Sequence, residues 1–259
     1  MEGWLIPFRG AMRFQLRALR RTPTYLMVLV TIPSYTVIFL ALTDQADRPD
    51  LFGAAVLAPV LIAMWGVAIW VAGMIVRGDR FLGVLEAAIA TPTPYSVVLL
   101  ARILVVTLAG WVAMAETWLT AWIGFGVVIE IPHPVTFVLT VALTTLAMAA
   151  TAVIMASAFV LSRVANTFAT SASYPFYVLG GVLVPVALLP AWVQPLSRLV
   201  FLSWSSDLLR DSLALAPVTN VAGRLAAIAV LTVAGFAVAA WTLGRVLHHV
   251  RETGELAFR

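Results

Sequence analysis

The sequence predicts an all-α polytopic membrane protein. It reads as six transmembrane helices with an N-terminal amphipathic interfacial helix, a short cytoplasmic helix between the second and third spans, and short re-entrant outer helices before the last span. Three observations carry this reading. Of 259 residues, 62% are hydrophobic and only 11% charged, against about 25% charged in an ordinary soluble domain. A chain this apolar cannot cover its own core with polar surface. Its apolar runs reach the roughly 20 residues that cross a bilayer. Those runs lack the polar alternation of a barrel strand, so the backbone must satisfy itself inside helices.

The first element, within residues 1–22, is the interfacial helix Trp4–Arg21. Arg9, Arg13, Arg17, Arg20 and Arg21 gather on one side of it, and Phe8, Met12, Leu16 and Leu19 share the other with Trp4 and Leu5. A basic stripe beside an apolar face suits a helix lying in the headgroup layer. The basic region is long for a signal peptide, and no small-residue cleavage site follows the first apolar run, so the segment is read as retained.

Spans are expected at Thr24–Thr43, Leu51–Val76, Ile103–Ile129, Val135–Leu161, Ser171–Leu189 and Leu225–Leu247. Their orientation follows from arginine placement. Besides the five arginines of the first helix, Arg77, Arg80, Arg102, Arg163, Arg245, Arg251 and Arg259 fall on one side. Arg48, Arg198, Arg210 and Arg224 fall on the other, among Asp44, Asp47, Asp50, Glu130, Asp207 and Asp211. Both termini are therefore expected in the cytoplasm of a bacterial cell, with the chain in its inner membrane.

Two loops are more than connectors. In the cytoplasmic loop Arg77–Arg102, the larger part of which is residues 77–96, Arg80–Ala90 reads as a short helix. Its apolar stripe is Phe81, Leu82, Leu85 and Ile89. Pro92 and Pro94 stop it by removing donors and restricting the preceding residues. The outer segment 189–221 is apolar yet broken by Pro190, Pro195 and Pro217, and Trp192 and Trp204 suit interfacial anchoring. It is expected to dip into the outer leaflet, with Asp207, Arg210 and Asp211 at its wet end.

The composition excludes several chemistries. With no cysteine there is no disulfide, thiolate metal site or S-lipidation. His248 and His249 are adjacent, so they diverge on a helix and are not expected to bind metal; His133 stands apart. All sixteen basic residues are arginine, so a phosphate-binding loop with its lysine is impossible here. No Ser/His/Asp set or paired-carboxylate site is evident, and no catalytic residue is expected. The net charge of +4 is a matter of topology rather than of nucleic-acid binding.

Ionisable groups deep in a span are functional candidates. Glu116 is read as the one such group, with Trp111, Trp118 and Trp122 around it. It either lines a substrate path or hydrogen-bonds to Ser or Thr on a neighbouring helix. Tyr174, Phe176 and Tyr177 in the fifth span either line a hydrophobic passage or pack ordinarily, and Pro175, Gly180, Gly181 and Pro185 would let that helix bend. The small residues of TTLAMAATAVIMASA in the fourth span point to close helix packing.

Two motifs give a family resemblance. GVLEAAIATPTPYSVVLLAR is similar to the "G-T-L-E-x-L-L-x-T-P" loop of ABC-2 type transporter permeases, the membrane subunits of type V ABC exporters. Gly83, Leu85, Glu86, Thr91 and Pro92 fall on it, and Val84 replaces the usual threonine. LPAWVQPLSRLVFLSWSSDLLRD resembles the family's outer segment through Leu189, Pro190, Trp192, Val193, Leu196, Ser197, Leu209 and Arg210. The resemblance implies a separate P-loop ATPase, carrying ATP and Mg, that docks on the cytoplasmic loop and the N-terminal helix. It also implies a working unit of two ATPases and two permeases, the second permease being a copy or a paralogue. Arg80 to Ile89 would transmit the force. A dimer seam at the first and fifth spans would set Tyr174, Phe176, Tyr177 and Leu183 near a central passage. The expected cargo is a hydrophobic or amphipathic compound such as a drug, an antibiotic or a lipid-linked molecule. Alternatives are a secondary transporter, which would want more buried charges, or a membrane-embedded enzyme or assembly factor.

Overall fold

The computed structural model describes residues 4–21, 26–47, 51–91, 94–161 and 165–253. In chain order the helices are α1 (Leu5–Arg21), α2 (Leu26–Gln45), α3 (Phe52–Phe81), α4 (Val84–Ala90) and α5 (Tyr95–Phe125). They continue as α6 (Pro134–Leu161), α7 (Ala165–Leu179), α8 (Gln194–Ser197), α9 (Phe201–Leu213) and α10 (Val221–Thr253). Among the described residues, four helices are long and apolar enough to cross a membrane, within α3, α5, α6 and α10. At 1.5 Å per residue, α2 is about 30 Å long, the thickness of a hydrocarbon core, whereas α7 reaches only about 22 Å.

The fifth predicted span, Ser171–Leu189, is therefore wrong at its C-terminal end. The helix stops at Leu179, because Gly181 takes the left-handed conformation (φ 66°). The Val182 amide then donates to the Tyr177 carbonyl at 3.0 Å and the Gly181 amide to Val178 at 3.1 Å. These two bonds form a Schellman cap, which ends a helix rather than bending it.

Helix directions follow from the contacts. α3 and α6 run the same way, α5 runs opposite, and the C-terminal parts of α3 and α6 meet where Phe159 crowds Gly73. At the end where α6 begins, the His133 amide donates to the Ser212 carbonyl at 3.3 Å, which brings the end of α9 there. α1 and α4 lie at the other end, called here the α4 end. The core is built from α3, α5 and α6, with Leu61, Trp65, Ala68, Leu99, Ile103, Met148 and Ala152 buried together. The small-residue run of α6 does pack closely, since a Cβ on Gly235 of α10 would stand 3.3 Å from the Ala150 Cβ.

α9 has an informative register. Its first residue, Phe201, stacks on Trp65 at the middle of α3, with ring centroids 6.4 Å apart. Its last, Leu213, lies against Gly53 at the start of α3. The same residue interval separates each pair, so α9 runs antiparallel to α3 for about 18 Å. It reaches from the end of the bundle to half its depth and goes no further.

Candidate functional site

At the α4 end, α3 does not stop where the second span was expected to. It continues to Phe81, and α5 begins at Tyr95, so the loop is shorter than 77–102. The stretch Arg80–Ala90 is thus not one helix. Gly83, at φ 65° with open space around it, makes the break. α4 then turns Leu85 wholly into the core, and the Thr91 hydroxyl donates to the Ala88 carbonyl at 2.8 Å beyond it. With Leu85 committed inward, the large apolar residues left outside among the described side chains are Phe81 (91% exposed), Leu82 (72%) and Val84. Arg80 lies in α3, and Glu86 and Ile89 in α4; their side chains, and Pro92, lie outside the described residues.

Beneath this tip is a buried charged cluster that sequence reasoning missed. Arg102 was read as a loop arginine, but it sits within α5. Its Nη1 contacts the Asp79 carboxylate at 2.6 and 2.8 Å. Its Nε donates to Gln15 Oε1 of α1 at 3.0 Å. The Tyr95 hydroxyl donates to Asp79 Oδ2, also at 3.0 Å, and the guanidinium lies over the Phe14 ring. All four of Gln15, Asp79, Tyr95 and Arg102 are buried, so Glu116 is not the only deep ionisable group. The available signal was Asp79 itself, a lone acid between Arg77 and Arg80 where topology calls for positive charge.

The N-terminal helix is docked rather than free. Ala11 and Gln15, one turn apart, are buried against α5. Arg9, Arg13 and Arg17 are exposed on the side away from that contact, while Leu5 and Leu16 remain exposed between the two faces.

A second centre surrounds Trp65. Its Nε1 donates to Ser173 Oγ at 3.0 Å, and its ring meets Phe176 at 4.9 Å and Tyr177 at 6.4 Å between centroids. Tyr174 is exposed and edge-on to Tyr177. Tyr35 of α2 is close enough to Tyr177 to interact with it electrostatically. The aromatic residues expected near a passage are thus gathered on the α2, α3 and α7 side.

Glu116 and Trp118 are not part of that gathering. Trp118 packs on Phe137 of α6, centroids 5.7 Å apart. Glu116 lies on α5 beside the exposed stripe Val112, Leu119 and Ile123. Its Oε2 is buried without a hydrogen-bond partner, as is Trp118 Nε1. The neighbouring hydroxyls are used elsewhere: Thr117 donates to the Ala113 carbonyl and Thr120 to the main-chain carbonyl of Glu116.

The end of α7 is held by α9. Ser206 Oγ donates to the Gly180 carbonyl at 2.7 Å. Arg210 Nη2 donates to the Gly181 carbonyl, and to the Val182 carbonyl at 3.1 Å. Asp207 and Arg210 therefore turn inward and do not form the wet end expected for them; Asp211, more exposed, pairs with Arg224 of α10. Burial pushes the Arg210 pKa down, while Asp207 and Asp211 act in the other direction. Arg198 completes the cluster by binding Asp207 at 2.8 Å and lying over Trp204.

Long apolar helices and buried interhelical polar contacts define a multi-pass membrane protein. The family model for ABC-2 type transporters matches residues 8–214, and the chain belongs to that family. No curated protein matches the chain. Membership makes it a membrane component of transport and implies association with an ABC ATPase subunit.

Proposed function

We propose that this chain is the permease subunit of an ATP-driven exporter, moving a hydrophobic or amphipathic compound out of the cytoplasm or inner leaflet. The observation that carries the reading is the tip at α4. Leu85 anchors it in the core while Phe81 and Leu82 project into solvent. Exposed adjoining apolar residues on an otherwise anchored element fit a protein partner. With no lysine for a phosphate-binding loop, hydrolysis falls to that partner, which would carry ATP and Mg.

In this reading the α4 end is cytoplasmic, consistent with the exposed arginines of α1 and with Arg77 there. Two ATPases serve two permeases, each a copy of this chain or a paralogue. Exposed Tyr35 and Tyr174 on α2 and α7 face the second permease, and Phe176 and Tyr177 stand behind them toward the passage. Glu116, beside the exposed stripe Val112, Leu119 and Ile123, borders the lipid or a cargo approaching from it.

The test is co-expression with candidate P-loop ATPase subunits from the same genome, followed by purification and ATPase assay in nanodiscs. A stable complex whose hydrolysis is uncoupled from transport by Glu86→Ala or by deletion of Val84–Ala90 supports the reading. Failure of any ATPase to bind, or full coupling in both variants, sinks it and favours a secondary transporter or an assembly factor.

A further inference from the structure

The cluster of Gln15, Asp79, Tyr95 and Arg102 occupies a particular place in the chain. Asp79 lies four residues before the Gly83 break, and Tyr95 is the first residue of α5 after α4. Asp79, before the loop that carries α4, therefore accepts from two residues of α5 after it: from Tyr95 at 3.0 Å and from Arg102 at 2.6 Å. Through a second nitrogen, Nε, Arg102 reaches Gln15 in α1. A guanidinium is a planar fork of fixed geometry, so binding two partners with different nitrogens fixes their relative orientation.

Among the described residues, α4 itself has few other restraints. A Cβ built at Gly83 would meet nothing within 4 Å, and of the described α4 side chains only Leu85 is fully buried. An element joined to the bundle through an open glycine and one buried leucine would pivot under load. The polar cluster sits at the root of that pivot and ties it to α1.

We infer that Arg102 is a positioning residue that locks α1 to the α4 hairpin, so that the two move as one body when α4 is pushed. The push rests on the reading that α4 receives the ATPase; the lock does not. Removing Arg102 frees α4 to move without α1, and removing Gln15 frees α1 alone. Breaking a buried charge pair also leaves Asp79 uncompensated, so Gln15→Leu is the cleaner variant: it keeps bulk and removes only the link to α1.

The experiment uses the full chain in nanodiscs. The protein has no cysteine, so Arg13→Cys and Ala87→Cys, both at exposed positions, give one spin-labelled pair across α1 and α4. Val135→Cys with Val238→Cys, on exposed parts of α6 and α10, gives a control pair. In the unaltered background both distances should be narrow. Arg102→Gln and Gln15→Leu should each broaden the α1–α4 distribution about twofold or more while the control stays narrow. An unchanged α1–α4 width in both variants overturns the lock, as does equal broadening of the control, which would mean general loosening. If the wild-type chain binds no ATPase, the exporter reading fails while the spin distances still decide the lock.

Discussion

Ser206 Oγ donates to the carbonyl of Gly180 at 2.7 Å, so the side of α9 closes the end of α7. The last carbonyls of a helix have no partner within it. Inside a bundle, water does not readily replace that partner, and Ser206 and Arg210 together serve three consecutive carbonyls.

Arg210→Ala is therefore expected to be among the more damaging single changes, costing about 2 kcal/mol or more by leaving two carbonyls short of a partner, while Asp207 keeps Arg198. Arg210→Lys should recover only part of this, because an ammonium keeps the charge without the fork. Thermal unfolding of the purified protein in detergent checks both. Equal stability of the alanine variant and wild type would contradict the capping role.

Gly180 and Gly66 offer a matched comparison. A Cβ at Gly180 would stand 2.5 Å from the Phe176 carbonyl oxygen and 2.7 Å from the Leu202 Cβ, whereas one at Gly66 meets nothing within 4 Å. Gly180→Ala should cost about 2 kcal/mol or more through overpacking. Gly66→Ala should be neutral or stabilising by up to about 1 kcal/mol, since alanine is the better helix former. The same unfolding measurement separates them.

Trp65→Phe and Trp65→Ala should differ sharply. The first removes one interhelical hydrogen bond, worth about 0.6 kcal/mol in membrane bundles, and keeps most ring contacts. The second opens a cavity among Phe176, Tyr177 and Phe201, costing about 3–5 kcal/mol. A similar loss in both variants would show that the Ser173 bond, not packing, holds α7 to α3.

Glu116→Gln should leave stability unchanged or slightly raised, because the lost charge has a carboxylate oxygen with no hydrogen-bond partner. Any change in transport or cargo-stimulated ATP hydrolysis in this variant then reports a contact with cargo rather than a folding defect. A clear loss of stability would reveal a partner for the carboxylate elsewhere in the assembly.

For the α4 tip, Phe81→Ala and Leu82→Ala should each weaken ATPase association about tenfold and leave the unfolding midpoint of the isolated chain unmoved, because both side chains are exposed. Co-purification yield together with the unfolding midpoint reads both effects. Unaltered association in the double variant would move the docking surface away from α4.

The sequence made the helical class legible, because apolar run length and composition report directly on solvent. Three features were out of its reach. Arg102 looked like a loop charge, since nothing in a linear chain shows that Asp79 and Gln15 converge on it. Gly180 and Gly181 are compatible with a bend as well as with a cap; only Ser206 and Arg210, arriving from distant positions, decide for the cap. Leu85 and Leu82 read as one stripe until the Gly83 turn places one inside and the other outside. In the first two cases the missing information was a long-range contact; in the third it was a local turn at Gly83 that the helical stripe concealed.

The half-depth reach of α9 also dictates an order of assembly. Its 13 residues are too few to span, and the carbonyls that end α7 depend on its Ser206 and Arg210, groups that lipid could not replace. This stretch can settle only into a recess already formed by α3 and α6. α10, which follows in the chain and lies along α6, binds Asp211 through Arg224 and so closes the recess last. Truncation before α10 would leave α9 without this restraint.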